Sequence, residues 1–318
     1  MKQYLDLMRK IVDEGEDVQS GAVITSEDRK ATCRFLLGQQ MRFDLRDGFP
    51  AVTTKPLFFN AVVDELLWFL RGETNVNKLG RFVDDPMFAD LYRDTPIGGR
   101  RFLKRHIWDQ WADASGNVNR IYGEAWRRWP HPDPDHVDQG NPSISYWDQV
   151  DRVVKDLRAV VADPGDRARR RIILTGWNPP VVPEMGLPPC HTLAQFLPTN
   201  GFLDVVCHWR SIDMFTGAPF NIAQYALLAH ILGGVTGLTP RHLVCNIADC
   251  HIYDNQREQI AEQLTRRPLA PPELAIDPQF FAVAHDLSVT QLLAVEPAWF
   301  ALRNYRCSPG QLRAEVAV

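Results

Sequence analysis

The chain has 318 residues, a net charge of -4, 45% hydrophobic and 23% charged residues, the proportions of a globular protein long enough to bury a large core as one large domain or two ordinary ones. No run approaches the ~20 apolar residues of a membrane helix, the opening Met1-Lys2-Gln3-Tyr4-Leu5-Asp6 holds no signal-peptide core, and the mild acidity gives no field for broad nucleic-acid binding. A cytoplasmic protein with neither membrane nor DNA as partner is expected, its six cysteines (33, 190, 207, 245, 250 and 307) reduced because no Cys-x-x-Cys pair or scaffold density occurs.

In chain order, Leu5, Met8 and Val12 recur at helical spacing and predict an amphipathic helix over the first dozen residues. Residues 58–70 are mostly apolar with Asp64 and Glu65 embedded, which predicts a buried helix. Two adjacent acids are costly there unless one is solvated or used, so Asp64 reads as a cap or rim carboxylate and Glu65 as the functional acid. Residues 80–106 and 130–146 are irregular excursions rich in Pro, Asp or Gly. Neither has the low complexity of a linker, so 1–318 reads as a single domain. Strands are predicted at 172–174, 193–197, 203–207 and 243–247, and helices at 222–232 and 253–264. Strands and long helices without a regular alternating unit imply an α+β class.

The most informative feature is Pro188-Pro189-Cys190-His191, followed about twenty residues on by Arg210-Ser211-Ile212-Asp213 and then by Gly217-Ala218-Pro219-Phe220-Asn221. A lone buried Cys is often just a small hydrophobe. Here a thiol, an imidazole, a guanidinium, a carboxylate and a carboxamide stand at tight spacing, and a nucleophilic thiol needs such an activating environment. Cys250-His251 has no second ligand pair at zinc spacing, so no metal is expected.

Further pieces run along the whole chain: Asp47-Gly48-Phe49-Pro50, Thr53-Thr54-Lys55, Glu65-Leu66-Leu67-Trp68-Phe69-Leu70, Ile107-Trp108-Asp109, Tyr122-Gly123, Arg170-Arg171-Ile172-Ile173, Pro219-Phe220-Asn221-Ile222-Ala223 and His251-Ile252-Tyr253. With Pro189-Cys190-His191 they make the chain resemble the thymidylate synthases. The resemblance implies a mixed sheet of about six strands, stacked back to back on its mate in a homodimer. It implies dUMP as substrate and 5,10-methylenetetrahydrofolate as co-substrate. Cys190 is then the thiol that adds to carbon 6 of the pyrimidine, its pKa lowered by Arg210 and by Arg170 from the other subunit. Glu65 organises water for the carbon 5 proton, Tyr122 assists that step, and His191 supports the water network at O4. The phosphate falls to Arg29, Arg210 and Ser211 of one chain with Arg170 and Arg171 of the other, and the sugar 3'-hydroxyl to His251 and Tyr253. Asn221 can accept from uracil N3-H and donate to O4 at once. The folate is expected against Ile107, Trp108, Trp111, Leu187, Gly217, Phe220, Val316 and Ala317, with Asp213 receiving the pterin's N-H donors.

Several of these residues also have plainer readings: Asn221 as cap of a helix beginning at Ile222, Asp213 as half of a salt bridge with Arg210, His251 and Tyr253 as surface residues on a loop, Trp108 and Trp111 as core aromatics, His191 as a satisfied core histidine, and Arg167 to Arg171 as a solvated basic turn. The chain also departs from the family pattern. Lys30 to Leu37 replaces a Thr-Gly-rich phosphate loop, Trp209 stands where Gln precedes Arg-Ser, Thr216 and Ala218 stand where leucines flank the glycine, Gln256 stands where His follows Asn, and the tail from Cys307 lacks Pro-His-Pro. These departures keep a second product in view, 5-hydroxymethyl-deoxyuridylate, formed when water rather than hydride captures the methylene intermediate. A cytidylate-specific relative and a catalytically silent homologue that binds nucleotide or RNA are disfavoured by Asn221 and His191, and by Cys190, Glu65 and Asp213, respectively.

Overall fold

The computed structural model describes residues 1–79, 107–132 and 144–317. The first excursion, 80–106, and the middle of the second, 133–143, lie outside the described residues, as does Val318. In chain order the strands are β1 (Glu16–Ile24), β2 (Arg29–Asp44), β3 (Trp129–Pro132), β4 (Ile144–Trp147), β5 (Ile173–Thr175), β6 (His191–Thr199), β7 (Phe202–Asp213), β8 (Thr239–Tyr253), β9 (Glu273–Ile276) and β10 (Phe300–Arg303). The helices are α1 (Lys2–Glu14), α2 (Phe59–Leu70), α3 (Tyr122–Arg127), α4 (Gln149–Ala162), α5 (Ala218–Thr236), α6 (Arg257–Thr265), α7 (Pro278–Val283) and α8 (Val289–Leu293). The class is α+β, with a six-stranded mixed sheet in the order β1-β2-β8-β7-β6-β5.

Two compact units divide the chain: Met1–Phe59, Cys190–Ala275 and Ala301–Val318 form one, Asn60–Pro189 and Ile276–Phe300 the other. In the first unit β2 pairs antiparallel with both β1 and β8, β7 runs parallel to β8, and β6 pairs antiparallel with β7. A parallel pair needs a crossover, and α5 supplies it between β7 and β8. Its sequence, Ala-Pro-Phe-Asn-Ile-Ala-Gln-Tyr-Ala-Leu-Leu-Ala-His-Ile-Leu, is apolar nearly all round, as a helix buried on every side must be. Pro219 sits in its first turn, where no N-H is needed, and Gly237 ends it at φ 75, a left-handed cap that favours glycine.

α1 buries Tyr4, Leu5, Leu7, Met8 and Ile11. Val12, expected on the buried stripe, is 40% exposed, because the covered face turns toward Leu7 and Ile11 instead. In the second unit, α2 reverses the rim expectation: Asp64 is buried while Glu65 is half-buried. The ends of the second excursion are not irregular either, since β3 and β4 pair antiparallel with Trp129 opposite Trp147. Buried Arg127, at the end of α3, donates to Leu70 O (2.5 Å), to Leu287 O and to both carboxylate oxygens of Asp148, which itself caps α4 at Asp151 N. A buried guanidinium is tolerable only when its donors are satisfied in this way.

Candidate active site

The topology of the first unit gathers the thiol motif. Because β7 and β8 are parallel, both finish at the same edge of the sheet, with Asp213 opposite His251. Because β6 and β2 run against them, both begin there: His191 lies opposite Trp209, Arg210 N donates to Cys190 O (2.9 Å), and Cys33, four residues after Arg29, lies opposite Tyr253. Residues scattered over more than two hundred positions therefore meet at one strand-end cluster.

Cys190 is partly buried, with Arg210 Nη2 at 3.9 Å from its Sγ. The expected lowering of its pKa is not found in this chain alone. Burial pushes the thiol up, and Arg210 opposes that push without overcoming it, while Asp213 and Asp249 add to it. His191 is buried between the rings of Trp209 (5.5 Å) and Tyr225 (5.3 Å). Burial brings its pKa down to about 3, against a side-chain hydrogen bond with Asn221 that favours the charged form. The imidazole is neutral at physiological pH.

Asn221 does not cap a helix. α5 begins three residues earlier, so Asn221 stands within its first turn, its N-H donating to Gly217 O (3.1 Å). Phe220, half-buried, makes the same bond to Gly217 O (3.1 Å). Nor are His251 and Tyr253 surface residues on a loop: they end β8, are 6% and 9% exposed, and stack edge to face at 4.8 Å. His251 Nδ1 pairs with Asp249 Oδ1 (2.7 Å), and burial pushes the Tyr253 hydroxyl up.

Asp213 is not half of a salt bridge with Arg210. Its Oδ1 accepts from Phe215 N (2.8 Å) and Thr216 N (3.0 Å), and its Oδ2 from Thr216 Oγ1 and Gln256 Nε2 (2.7 Å). Ser211 lies on β7 between Arg210 and Asp213, half-buried and opposite Asp249. Arg29 opens β2, the strand into which Lys30 to Leu37 folds, and its guanidinium is held by Glu27 (2.5 Å) and Asp254 (2.7 Å). In the tail, Glu315 accepts from Ser26 N (3.1 Å), and Ala317 is buried against Ile24, Ala31, Cys33 and Tyr253, whereas Val316 is 37% exposed.

In the second unit, Trp108 is buried and its indole N-H donates to Glu65 Oε1 (2.7 Å). Its ring packs with Trp68 (5.8 Å), Phe69 (6.0 Å), Trp111 (6.0 Å) and Tyr122 (6.4 Å), so it is a core aromatic and also a partner of the acid. Ile107 opens the short 3-10 turn that carries both tryptophans. Trp111 packs closely against the chain at Gly186, where a Cβ would stand 2.6 Å from the ring, and half-buried Leu187 follows. Tyr122 begins α3, buried against Phe69 at 5.1 Å. Arg170 closes the turn Arg167–Arg170 and Arg171 follows it, both exposed. Among the described residues no group of three His, Cys, Asp or Glu is arranged to hold a metal, and no described helix is long and apolar enough to cross a membrane.

Three contributors were missed in the sequence. Gln256 and Thr216 figured only as departures, yet both hold Asp213. Lys55, buried, donates to Phe215 O and lies 3.7 Å over the Phe215 ring, its pKa brought down by burial to about 8. A lysine inside Thr-Thr-Lys-Pro-Leu-Phe-Phe was the available signal for it.

At one strand-end cluster of the mixed sheet the fold brings together a cysteine, a neutral histidine, an arginine and an asparagine. The thymidylate synthase family model matches residues 2–318, and the chain belongs to that family. The family transfers a one-carbon unit from methylenetetrahydrofolate to a deoxyuridine nucleotide, which makes this chain a C1 transferase by membership.

Proposed function

We propose that this chain methylates carbon 5 of dUMP, giving thymidylate and dihydrofolate. The observation that carries the reading is the approach of Arg210 Nη2 to Cys190 Sγ beside a neutral His191 bonded to Asn221. Cys190 sulfur adds to carbon 6 of the uracil, the ring electrons move to O4, and carbon 5 becomes the nucleophile toward the methylene carbon. Asn221 reads N3-H and O4, and His191 holds the water at O4 as a neutral ring. Glu65, kept in place by Trp108, serves with Tyr122 the removal of the carbon 5 proton. Loss of that proton breaks the bond between the bridging carbon and the folate nitrogen, hydride from the released tetrahydrofolate reduces the exocyclic methylene, and the thiolate leaves carbon 6.

The phosphate is assigned to Arg210, Ser211 and Arg29 with Arg170 and Arg171 of a second copy, and the 3'-hydroxyl to His251 and Tyr253. The acids already on Arg29 mean that a phosphate must exchange with them. The exposure of the Arg167–Arg170 turn suits donation to another chain, as does a broad groove of about 490 Å³ on one face of the sheet, where Gln39, His208, Arg210 and Asn246 meet. The folate is assigned to Ile107, Trp108, Trp111, Leu187, Gly217, Phe220, Val316 and Ala317, with Asp213 as pterin acceptor. The reading of 1–318 as a single domain is supported by a family match that spans residues 2–318. A cytoplasmic location remains part of this reading.

The hydroxymethyl product is the second reading, favoured by the polar Thr216 and Gln256 at a floor where a dry site selects hydride. Incubation with dUMP and methylenetetrahydrofolate separates the two. Formation of dihydrofolate, seen as an absorbance rise, with a methyl mass gain on the nucleotide is expected. A hydroxymethyl mass gain without that rise supports the second reading, and no product on dUMP overturns both.

A further inference from the structure

Thr216 and Gln256 stand forty positions apart, both depart from the family pattern, and both spend their donors on one carboxylate oxygen, Asp213 Oδ2. A carboxylate offers about four acceptor sites. With Phe215 N and Thr216 N on Oδ1, protein donors fill all four. Neither the leucine nor the histidine of the family pattern could bring a hydroxyl and a carboxamide there together.

The two donors differ in how firmly they are held. Gln256 is completely buried and fixed at both ends: its Nε2 donates to Asp213, and its Oε1 accepts from Tyr253 N (3.0 Å). It ties the last residue of β7 to the last residue of β8. Thr216 is half-buried, and its hydroxyl turns about a single bond, so of the four donors it is the one a ligand can displace without moving backbone.

We propose that Thr216 and Gln256 are positioning residues that set the affinity for the N-H-bearing ring of the one-carbon donor. Thr216 does so by competing for Asp213 Oδ2, and Gln256 by holding the carboxylate in register with Tyr253. The inference rests on the reading of Asp213 as the pterin acceptor.

The test measures the KM for methylenetetrahydrofolate and the Kd of folic acid in the presence of dUMP. Thr216→Val keeps the shape and removes the competitor, so both constants fall by about 3- to 10-fold, the net worth of one ordinary hydrogen bond, a larger change than in kcat or in the KM for dUMP. Thr216→Ser restores the hydroxyl and, with it, the wild-type constants. Gln256→Leu raises the KM for both ligands, since Tyr253 is released together with Asp213. Equal folate constants in the Val and Ser variants, or a rise in Thr216→Val, overturn the proposal, and that pair decides alone if Gln256→Leu does not fold. A wild-type chain that neither turns over dUMP nor binds folic acid overturns the functional reading itself, and this inference with it. Turnover by the wild type with no difference between the Val and Ser variants overturns the inference only.

Discussion

At Cys190 two opposed influences meet. Burial raises the thiol's pKa and the guanidinium of Arg210 lowers it, and in the single chain burial wins. A cation brought beside the thiol would shift that balance toward the thiolate, which is why a thiol pushed up here remains compatible with a nucleophile. In the proposed reading Asn221 carries base choice. Its amide presents both an acceptor and a donor, whereas a carboxylate at the same place accepts only and suits the amino group of cytosine. Asn221→Asp is expected to shift the ratio of kcat/KM for dUMP over dCMP toward dCMP by about tenfold or more. Steady-state assays with both nucleotides check this, and an unchanged ratio would place base recognition elsewhere.

At the scale of elements, α5 is the crossover that makes β7 and β8 parallel, and its close seat depends on Gly233. A Cβ there would stand 2.6 Å from Leu238 O and 3.0 Å from Pro240 Cδ. Gly233→Ala should therefore destabilise the chain by about 1–3 kcal/mol, as overpacking does, visible as a lower urea midpoint. A midpoint equal to wild type would show that the turn yields freely. The apolar run of α5 made that helix legible in the sequence, and short apolar runs did the same for β6, β7 and β8. β1 was not legible, because Glu16-Asp17-Val18-Gln19-Ser20-Gly21 is polar and mostly exposed, and β2 buries Ala31, Cys33, Met41 and Phe43 around an exposed middle. α4 does carry a helical signature, with Val150, Val153, Val154, Leu157 and Val160 behind an Asp148 cap, but it follows directly on a Pro- and Asp-rich stretch that reads as irregular. The cysteine, histidine, arginine and asparagine were legible as a candidate cluster because their chemical types stand close along the chain. The hold of Gln256 on Asp213 was not, since strand pairing alone brings these distant positions together.

For the whole molecule, stability should depend on two buried imidazoles. Burial brings His191 down to about 3 and His230 to about 4, below the 6.5 of an unburied ring. Between these values the unfolded chain binds protons that the folded chain refuses, so stability is fully present above pH 6.5 and is lost as pH falls. The melting temperature should drop between pH 6.5 and 4, and His230→Phe should flatten that slope; a level profile in the wild type contradicts the assignment. Most direct of all is intact-protein and peptide mass spectrometry after incubation with 5-fluoro-dUMP and methylenetetrahydrofolate, because fluorine cannot leave carbon 5 as the proton does. A stable adduct carrying nucleotide and folate on the peptide that contains Cys190, absent from Cys190→Ala, is the expected result. A chain with no adduct, or with one on another cysteine, would contradict covalent catalysis by this thiol.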